Sequence, residues 1–281
     1  MNFDALDRRM RQYETWRDQK VLPETLMVAR LDGRGFTQLT RERQQFEAPY
    51  DQRFRDLMAE TVRHLMRMGI DIVYGYSQSD EISLLFHPTD QSFGRKIRKL
   101  NSILAGEASA RFSLSLGDVA SFDCRICELP NPELVIDYFR WRQEDASRNA
   151  LNSHCYWLLR RQGMDANKAT ASLRGASNMQ KHDLLMSSGI NFNDLPAWHK
   201  RGFALIRNVV GKEGVDPRDG SVVRTTRRVI EINYELPRGI EYDDYVRSLL
   251  EVSLAECKAT FVSAYRRKGR RVDDRSLPKR G

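Results

Sequence analysis

The sequence predicts an α+β fold: a ferredoxin-like, mostly antiparallel sheet from residues 1–131, then a largely helical half, residues 132–281, that carries two late strands and a basic tail. Three observations predict it. Up to Leu129 the hydrophobic patterns run strand, helix, strand, strand, helix, strand. Glycine and polar clusters punctuate that order where turns are needed. Beyond Pro132 long stretches keep a helical period, broken only by "GFALIRNVVG" and "RRVIEINYEL" around a polar loop at Gly211 to Gly220.

Asp4 to Arg17 opens the chain as an amphipathic helix, with Leu6, Met10, Tyr13 and Trp16 at helical spacing. "ETLMVARLDGRGF" reads as a buried strand that ends at Asp32-Gly33. Tyr50 to Met68 returns to a helical period through Phe54, Leu57, Met58, Val62, Leu65 and Met66, and stops before Gly69. "IDIVYGY" and "EISLLF" are short strands joined by "SQSD". Ser92 to Phe112 predicts a long helix whose polar face carries Arg95, Lys96, Arg98 and Lys99, and "ASFDCRICEL" is the fourth strand. After the helical blocks and the two late strands, a last helix spans Tyr242 to Tyr265.

This order has a topological consequence. A right-handed crossover makes the first two strands parallel, and the third runs antiparallel between them. The end of the first strand, Asp32, therefore lies beside the start of the third, where Asp80 and Glu81 open "DEISLLF", 48 positions on. Acids are depleted in strands, and like charges at about 4 Å repel by roughly 4 kcal/mol at an effective dielectric near 20. Something cationic belongs at that rim. Side-chain alternation sends Asp80 and Glu81 to opposite faces, so one of them, Asp80 in preference to Glu81, is expected to share a ligand with Asp32.

Composition narrows the function classes. At 41% hydrophobic and 30% charged residues the chain is that of a globular protein, with no apolar run near the ~20 residues of a membrane span. "MNFDALDRRMRQYETW" mixes acids with its arginines, unlike a signal or transit peptide, so a cytoplasmic protein is expected. Four scattered cysteines are too few for a disulfide framework. Cys124 and Cys127 form a CxxC followed by His154 and Cys155, but in a strand the first and fourth positions point to opposite faces, which disfavours zinc. Of the net charge of +8, +6 sits in "YRRKGRRVDDRSLPKRG", with eight basic and two acidic residues; such a tail is a solvated end or a contact to a phosphate backbone.

Paired carboxylates beside an approachable glycine backbone at Gly33 and Gly35 suit Mg²⁺, and two such ions can activate an attacking hydroxyl and stabilise a leaving pyrophosphate. The alternative reading makes Asp32 and Asp80 turn acids paired with Arg30 and Arg34. No GxxxxGK[ST] or GxGxxG loop is present, and none of the five histidines has recognisable acid–base spacing.

"ARLDGRGF", "YSQSDEISLLF", "SFDCRICELP", "DYFRWRQEDASRNALNSHCYWLL" and "SNMQKHDLLMSSGINFNDLPAWHKRGFAL" resemble, in order and spacing, the tRNA-histidine guanylyltransferase family and its "like" branch, from the first helix to about Val210. The resemblance implies a polymerase-palm sheet with a fingers-like helical half. It implies a reverse polymerase that adds GTP or templated NTPs in the 3′-to-5′ direction to the 5′ end of tRNA, with ATP activation, two Mg²⁺ ions and a homotetrameric assembly. Asp32, Gly33 and Asp80 match the metal ligands, and Asp32, Asp80 and Glu81 the essential acids. Gly33, Arg34, Gly35, Phe36, Ser79, Arg95, Lys96, Lys99 and Lys181 fall at nucleotide-binding positions.

Two departures matter. Ser147-Arg148-Asn149-Ala150 stands where histidine-tRNA enzymes carry His-Ile-Asn-Asn, which resembles the branch that repairs truncated 5′ ends. Ala48 in "FEAP" stands where the family has a phosphate-binding lysine, so Arg41, Arg43 or a tail residue is expected to compensate. In the tail, Arg266, Arg267, Lys268, Arg270 and Arg271 are expected to contact RNA. Tyr138, Trp141 and Trp157 are either base-stacking rings or helix core. Other readings of the same residues are a palm-type nucleotide cyclase, or a tRNA-binding protein without catalysis.

Overall fold

The computed structural model describes residues 2–215, 218 and 221–255; the basic tail lies outside the described residues, and with it the RNA contacts expected of Arg266, Arg267, Lys268, Arg270 and Arg271. Helix α1 (Phe3–Thr15) leads to β1 (Leu26–Arg34), a short helix α2 (Phe36–Gln38) that continues as a π-turn (Leu39–Arg43), and α3 (Gln52–Leu65). Then come β2 (Ile72–Gln78), β3 (Glu81–Phe86), α4 (Ile97–Leu116) and β4 (Ser121–Leu129). The later half holds α5 (Pro132–Arg161), α6 (Ala166–Leu173), α7 (Asn178–Met186), α8 (Ala197–Arg201), β5 (Phe203–Val215) and β6 (Val222–Asn233), and a helix, α9, that begins at 240 and is described to 255.

The sheet order is β4-β1-β3-β2-β5-β6, with every neighbouring pair antiparallel. Its first four strands have the predicted ferredoxin-like arrangement, so β3 does lie between β1 and β2. The late strands join this same sheet: β5 pairs with β2, and β5 and β6 stay in register from Ala204↔Asn233 to Val215↔Val222. The hairpin thus takes in much of the stretch expected to be a loop from Gly211.

Helices cover both faces, because β1 is apolar on both: Leu26, Met27, Val28 and Ala29 are all buried. On one face Met27, Ala29 and Leu31 meet Met58 and Val62 of α3 and Leu104 and Phe112 of α4. On the other, Leu26, Val28, Tyr74 and Leu85 meet Ile136 and Phe139 of α5 and Tyr242, Val246 and Leu250 of α9. The Tyr74 and Tyr242 hydroxyls lie 3.0 Å apart, so neither is orphaned by burial. The carboxy-terminal part of α5 forms a third cluster with α6 and α7 through Leu151, Leu158, Leu173 and Leu185.

Caps explain where the site-bearing helices begin. Asn131 Oδ1 accepts from the Leu134 N–H at 2.9 Å, and Pro132 follows at the first helical position, which starts α5. Helix α4 begins later than the periodicity predicts, since Phe93, Gly94 and Arg95 all take positive φ and break the helix before Ile97. Among the described residues no helix is long and apolar enough to cross a membrane.

Candidate active site

The turn between β2 and β3 carries the acids to the sheet margin. Ser79 and Asp80 are its two residues, with Gln78 and Glu81 paired across it. A two-residue hairpin turn needs a positive φ at its first central position, and Ser79 takes +50° there. That conformation costs a non-glycine residue about 1–2 kcal/mol. The Ser79 hydroxyl donates to Asp80 Oδ1 at 3.1 Å, which steers the carboxylate. Next to it, the Gly33 N–H donates to the Asp80 carbonyl at 3.1 Å, and Asp32 is the cross-strand partner of Glu81. A Cβ at Gly33 would lie 2.5 Å from the Phe36 ring, so only glycine lets the chain fold back over that ring.

Asp32, Phe36, Ser79, Asp80 and Glu81 line one cavity of about 380 Å³, within the range of small-molecule sites. Its other walls are the turn around Arg41, the segment Phe46 to Asp51, and α5 through Arg142, Asn149 and Trp157. Trp198 of α8 and Phe203 of β5 complete it.

The three acids differ in their partners. Glu81 has a side chain only 7% exposed, with Arg30 Nη2 at 2.7 Å and Arg142 Nε at 2.7 Å on its two oxygens. Burial pushes its carboxyl up, while Arg142 and Arg30 draw it back. The two guanidinium groups stand against its two oxygens, so Glu81 is an anchor and not a free ligand. Strand alternation does place Glu81 on the face of Asp32, its direct cross-strand partner. Asp80 escapes that alternation because it belongs to the turn. Burial, first, and the charge of Asp32 raise the Asp80 carboxyl above its ordinary value. Neither Asp32 nor Asp80 forms an ion pair with a lysine or arginine among the described residues, contrary to the turn-acid reading with Arg30 and Arg34.

Two mutually repelling carboxylates beside the Gly33 backbone therefore fit a hard cation. Among the described residues no group of three or more His, Cys, Asp or Glu side chains is placed to hold a metal. The pair of acids is of the kind that suits Mg²⁺, which takes one or two carboxylates and fills its shell with water and substrate phosphates. The cysteines do not suit zinc: Cys124 packs against the core of one sheet face and Cys127 against the other.

Several expected nucleotide contacts lie elsewhere in the chain. Arg34 and Gly35 are exposed and do not line the cavity. Arg95 is buried and donates to the Thr25 carbonyl at 2.6 Å, Lys96 pairs with Asp18 at 3.0 Å, and Lys99 is exposed on the same turn. Thr25 precedes the start of β1, about 20 Å along the strand from Asp32 at ~3.3 Å per residue. The reason is topological, since β3 starts at the rim and carries the chain away from it before α4 begins. Lys181 lines a separate recess with Arg174 and Gln180. Arg43 is drawn off to Asp118, whereas Arg41 lines the cavity.

Sequence reasoning missed Arg142 and the aromatic stack behind the cavity. Arg142 lies on the buried stripe of α5 with Val135, Phe139 and Ala146, and a cation on such a stripe is a readable sign of a buried carboxylate partner. Tyr50, at the cavity wall, stacks on His199 with ring centroids 4.6 Å apart, and His199 on His154 at 5.5 Å. Of the candidate stacking rings, Tyr138 is core, its hydroxyl 3.0 Å from Ser83 Oγ, Trp141 is 52% exposed, and Trp157 faces the cavity.

Residues 7–130 match the family description "tRNAHis guanylyltransferase", and residues 133–236 match the "Thg1 C terminal domain". The tRNA(His) guanylyltransferase of Schizosaccharomyces pombe is 34% identical over 214 residues, which is 73% of this chain and 81% of that protein. A bacterial tRNA(His) guanylyltransferase-like protein solved in complex with GTP superimposes with a TM-score of 0.69 at 27% identity, over 88% of this chain and 99% of that one. A bacterial protein of the same description, in complex with ATP, gives 0.70 at 28% identity over 87% and 98%. The chain belongs to the tRNA-histidine guanylyltransferase family.

Proposed function

We propose that this chain is a Mg²⁺-dependent nucleotidyltransferase that adds nucleotides in the 3′-to-5′ direction to the 5′ end of a tRNA, using GTP or templated NTPs and ATP. The observation that carries the reading is the convergence of Asp32 and Asp80, 48 residues apart, on one cavity where, among the described residues, neither is ion-paired with a lysine or arginine. Family membership supports the reaction class, and the GTP and ATP complexes of the bacterial relatives support the substrates.

Asp32, the Gly33 backbone and Asp80 would hold the metal, which when bound supplies charge neutralisation for a triphosphate and a lowered pKa for an attacking hydroxyl. The chain's own residues do the positioning. Glu81, gripped by Arg30 and Arg142, pins the first residue of β3 so that the Ser79–Asp80 turn projects into the cavity. Arg142 belongs to α5, so the same ion pair ties the helical half to the rim. Asn149 of Ser147-Arg148-Asn149-Ala150 lines the cavity, and that departure from His-Ile-Asn-Asn favours templated repair of truncated tRNA over a single untemplated G. The tail arginines and lysine are proposed as RNA contacts from charge.

The test incubates the chain with 5′-truncated tRNA, labelled NTPs, and either Mg²⁺ or EDTA. Extension at the 5′ end is expected in Mg²⁺, none in EDTA, and none with Asp32→Asn or Asp80→Asn variants that keep the wild-type circular dichroism. Extension that survives both substitutions overturns the reading, and a cyclic nucleotide made without RNA replaces it with the cyclase.

A further inference from the structure

We infer that Arg41 is a phosphate-binding residue of the cavity, held in place by the rings of Tyr156 and Trp157; this rests on the nucleotidyltransferase reading above. Four arginines line the cavity: Arg30, Arg41, Arg55 and Arg142. Three are committed to carboxylates, Arg30 and Arg142 to Glu81 and Arg55 to Asp56 at 2.7 Å. Arg41 has no carboxylate partner among the described residues. Its guanidinium lies instead 5.1 Å from the Trp157 ring centroid and 5.8 Å from that of Tyr156.

That contact restrains the guanidinium without using its N–H groups. An arginine over an aromatic ring keeps donors in its own plane, in a fork that matches two phosphate oxygens. The charges next to it in sequence are turned elsewhere, with Glu42 accepting from Gln38 at 3.2 Å and Arg43 facing Asp118, and Glu47, which also lines the cavity, forms no ion pair with Arg41. The cavity therefore has an acidic end at Asp32 and Asp80 and an unneutralised cation at Arg41, the polarity expected for a polyphosphate carrying a divalent ion. The phosphate belongs either to a nucleoside triphosphate or to the 5′ terminus of the RNA, and one set of titrations separates the two.

Wild type, Arg41→Ala, Arg41→Lys, Trp157→Leu and the Arg41→Ala/Trp157→Leu pair are titrated by calorimetry with guanosine, GMP and GTP in Mg²⁺, and with tRNA bearing or lacking a 5′-phosphate. Arg41→Ala is expected to raise the Kd for GTP about tenfold or more, the scale of one charge-assisted hydrogen bond, and to leave guanosine unchanged. A loss confined to 5′-phosphorylated tRNA assigns the phosphate to the RNA. Trp157→Leu is expected to weaken the same ligand by less, and to add little to Arg41→Ala, because the ring acts through the guanidinium. Less than a twofold change for both GTP and 5′-phosphorylated tRNA, in a protein that still extends tRNA, overturns the inference and leaves the parent reading intact. Wild type that binds neither ligand overturns both.

Discussion

Acidification from pH 7 to pH 5 is expected to destabilise the fold through the imidazoles stacked behind Tyr50. His154 and His199 lie with ring centroids 5.5 Å apart and planes 23° from parallel. Burial pushes both down to about 4; Arg161 adds to the shift of His154, and His154, Arg55 and Lys200 add to that of His199. Unfolded, each titrates near 6.5. The unfolded chain therefore binds more protons between those values, and stability that is complete above pH 6.5 is lost as the pH falls towards 4. At pH 5 an unscreened shift of this size removes about 2 kcal/mol per imidazole, and residual solvent screening lowers that to about 1 each, or about 2 for the pair. Asp51 and Asp18, held at about 2 by Arg53 and Arg98 in turn, lose their contributions only below about pH 4, outside this window. Asp80 and Glu81, both raised, act with the opposite sign and partly mask the loss. Urea unfolding followed by far-UV circular dichroism at the two pH values measures the difference. His154→Phe keeps a ring in the stack and removes one titration, so the loss should shrink by about 1 kcal/mol. A wild type equally stable at both pH values, or a variant that loses as much as wild type, would refute the account.

Glu81→Ala takes from Arg142, itself 4% exposed, one of its two carboxylates and leaves it Asp145 at 2.8 Å, while Arg30 loses its partner; it should cost about 1–3 kcal/mol in urea unfolding, and no measurable loss would mean the Glu81 contacts are solvated. Asp80→Asn removes a desolvated charge that Asp32 repels, so in EDTA the variant should melt at or above the wild-type temperature, and a lower midpoint would contradict the assigned repulsion. Gly202 has φ +68°, and a Cβ there would lie 2.4 Å from the Ser77 carbonyl. Gly202→Ala should therefore destabilise by more than about 1 kcal/mol and loosen the β2–β5 seam, visible as faster amide exchange at Ser77 and Phe203.

The juxtaposition of Asp32 with Asp80 and Glu81 was legible because it follows from strand order and the handedness of one crossover, both of which local patterns reveal. The position of Arg95, Lys96 and Lys99 was not, because closeness in sequence to the acids suggests closeness in space. Strand β3 leads away from the rim, and its six residues are enough to carry α4 to the far end. The surroundings of Glu81 were not legible for a related reason. Alternation, applied as if Asp80 were a strand residue, favoured Asp80 as the neighbour of Asp32, whereas Glu81 is the direct cross-strand partner; and its contact with Arg142 depends on a helix 61 residues further on settling over that face.

The same contacts show why the cavity cannot be assigned to the first half of the chain alone. With residues 1–131 by themselves, β2 would present an unpaired edge where β5 now adds, and the face of Leu26, Val28 and Tyr74 would lose α5 and α9. Glu81 would keep Arg30 but lose Arg142, leaving a desolvated carboxylate with one guanidinium beside the two unneutralised aspartates. The helical half thus fixes the electrostatics of the rim as much as its shape. Arg142, which also holds Asp145, shares the charge of Glu81 with Arg30, so the excess negative charge at the sheet margin falls to Asp32 and Asp80, the two acids that the turn and the strand end leave open to a cation.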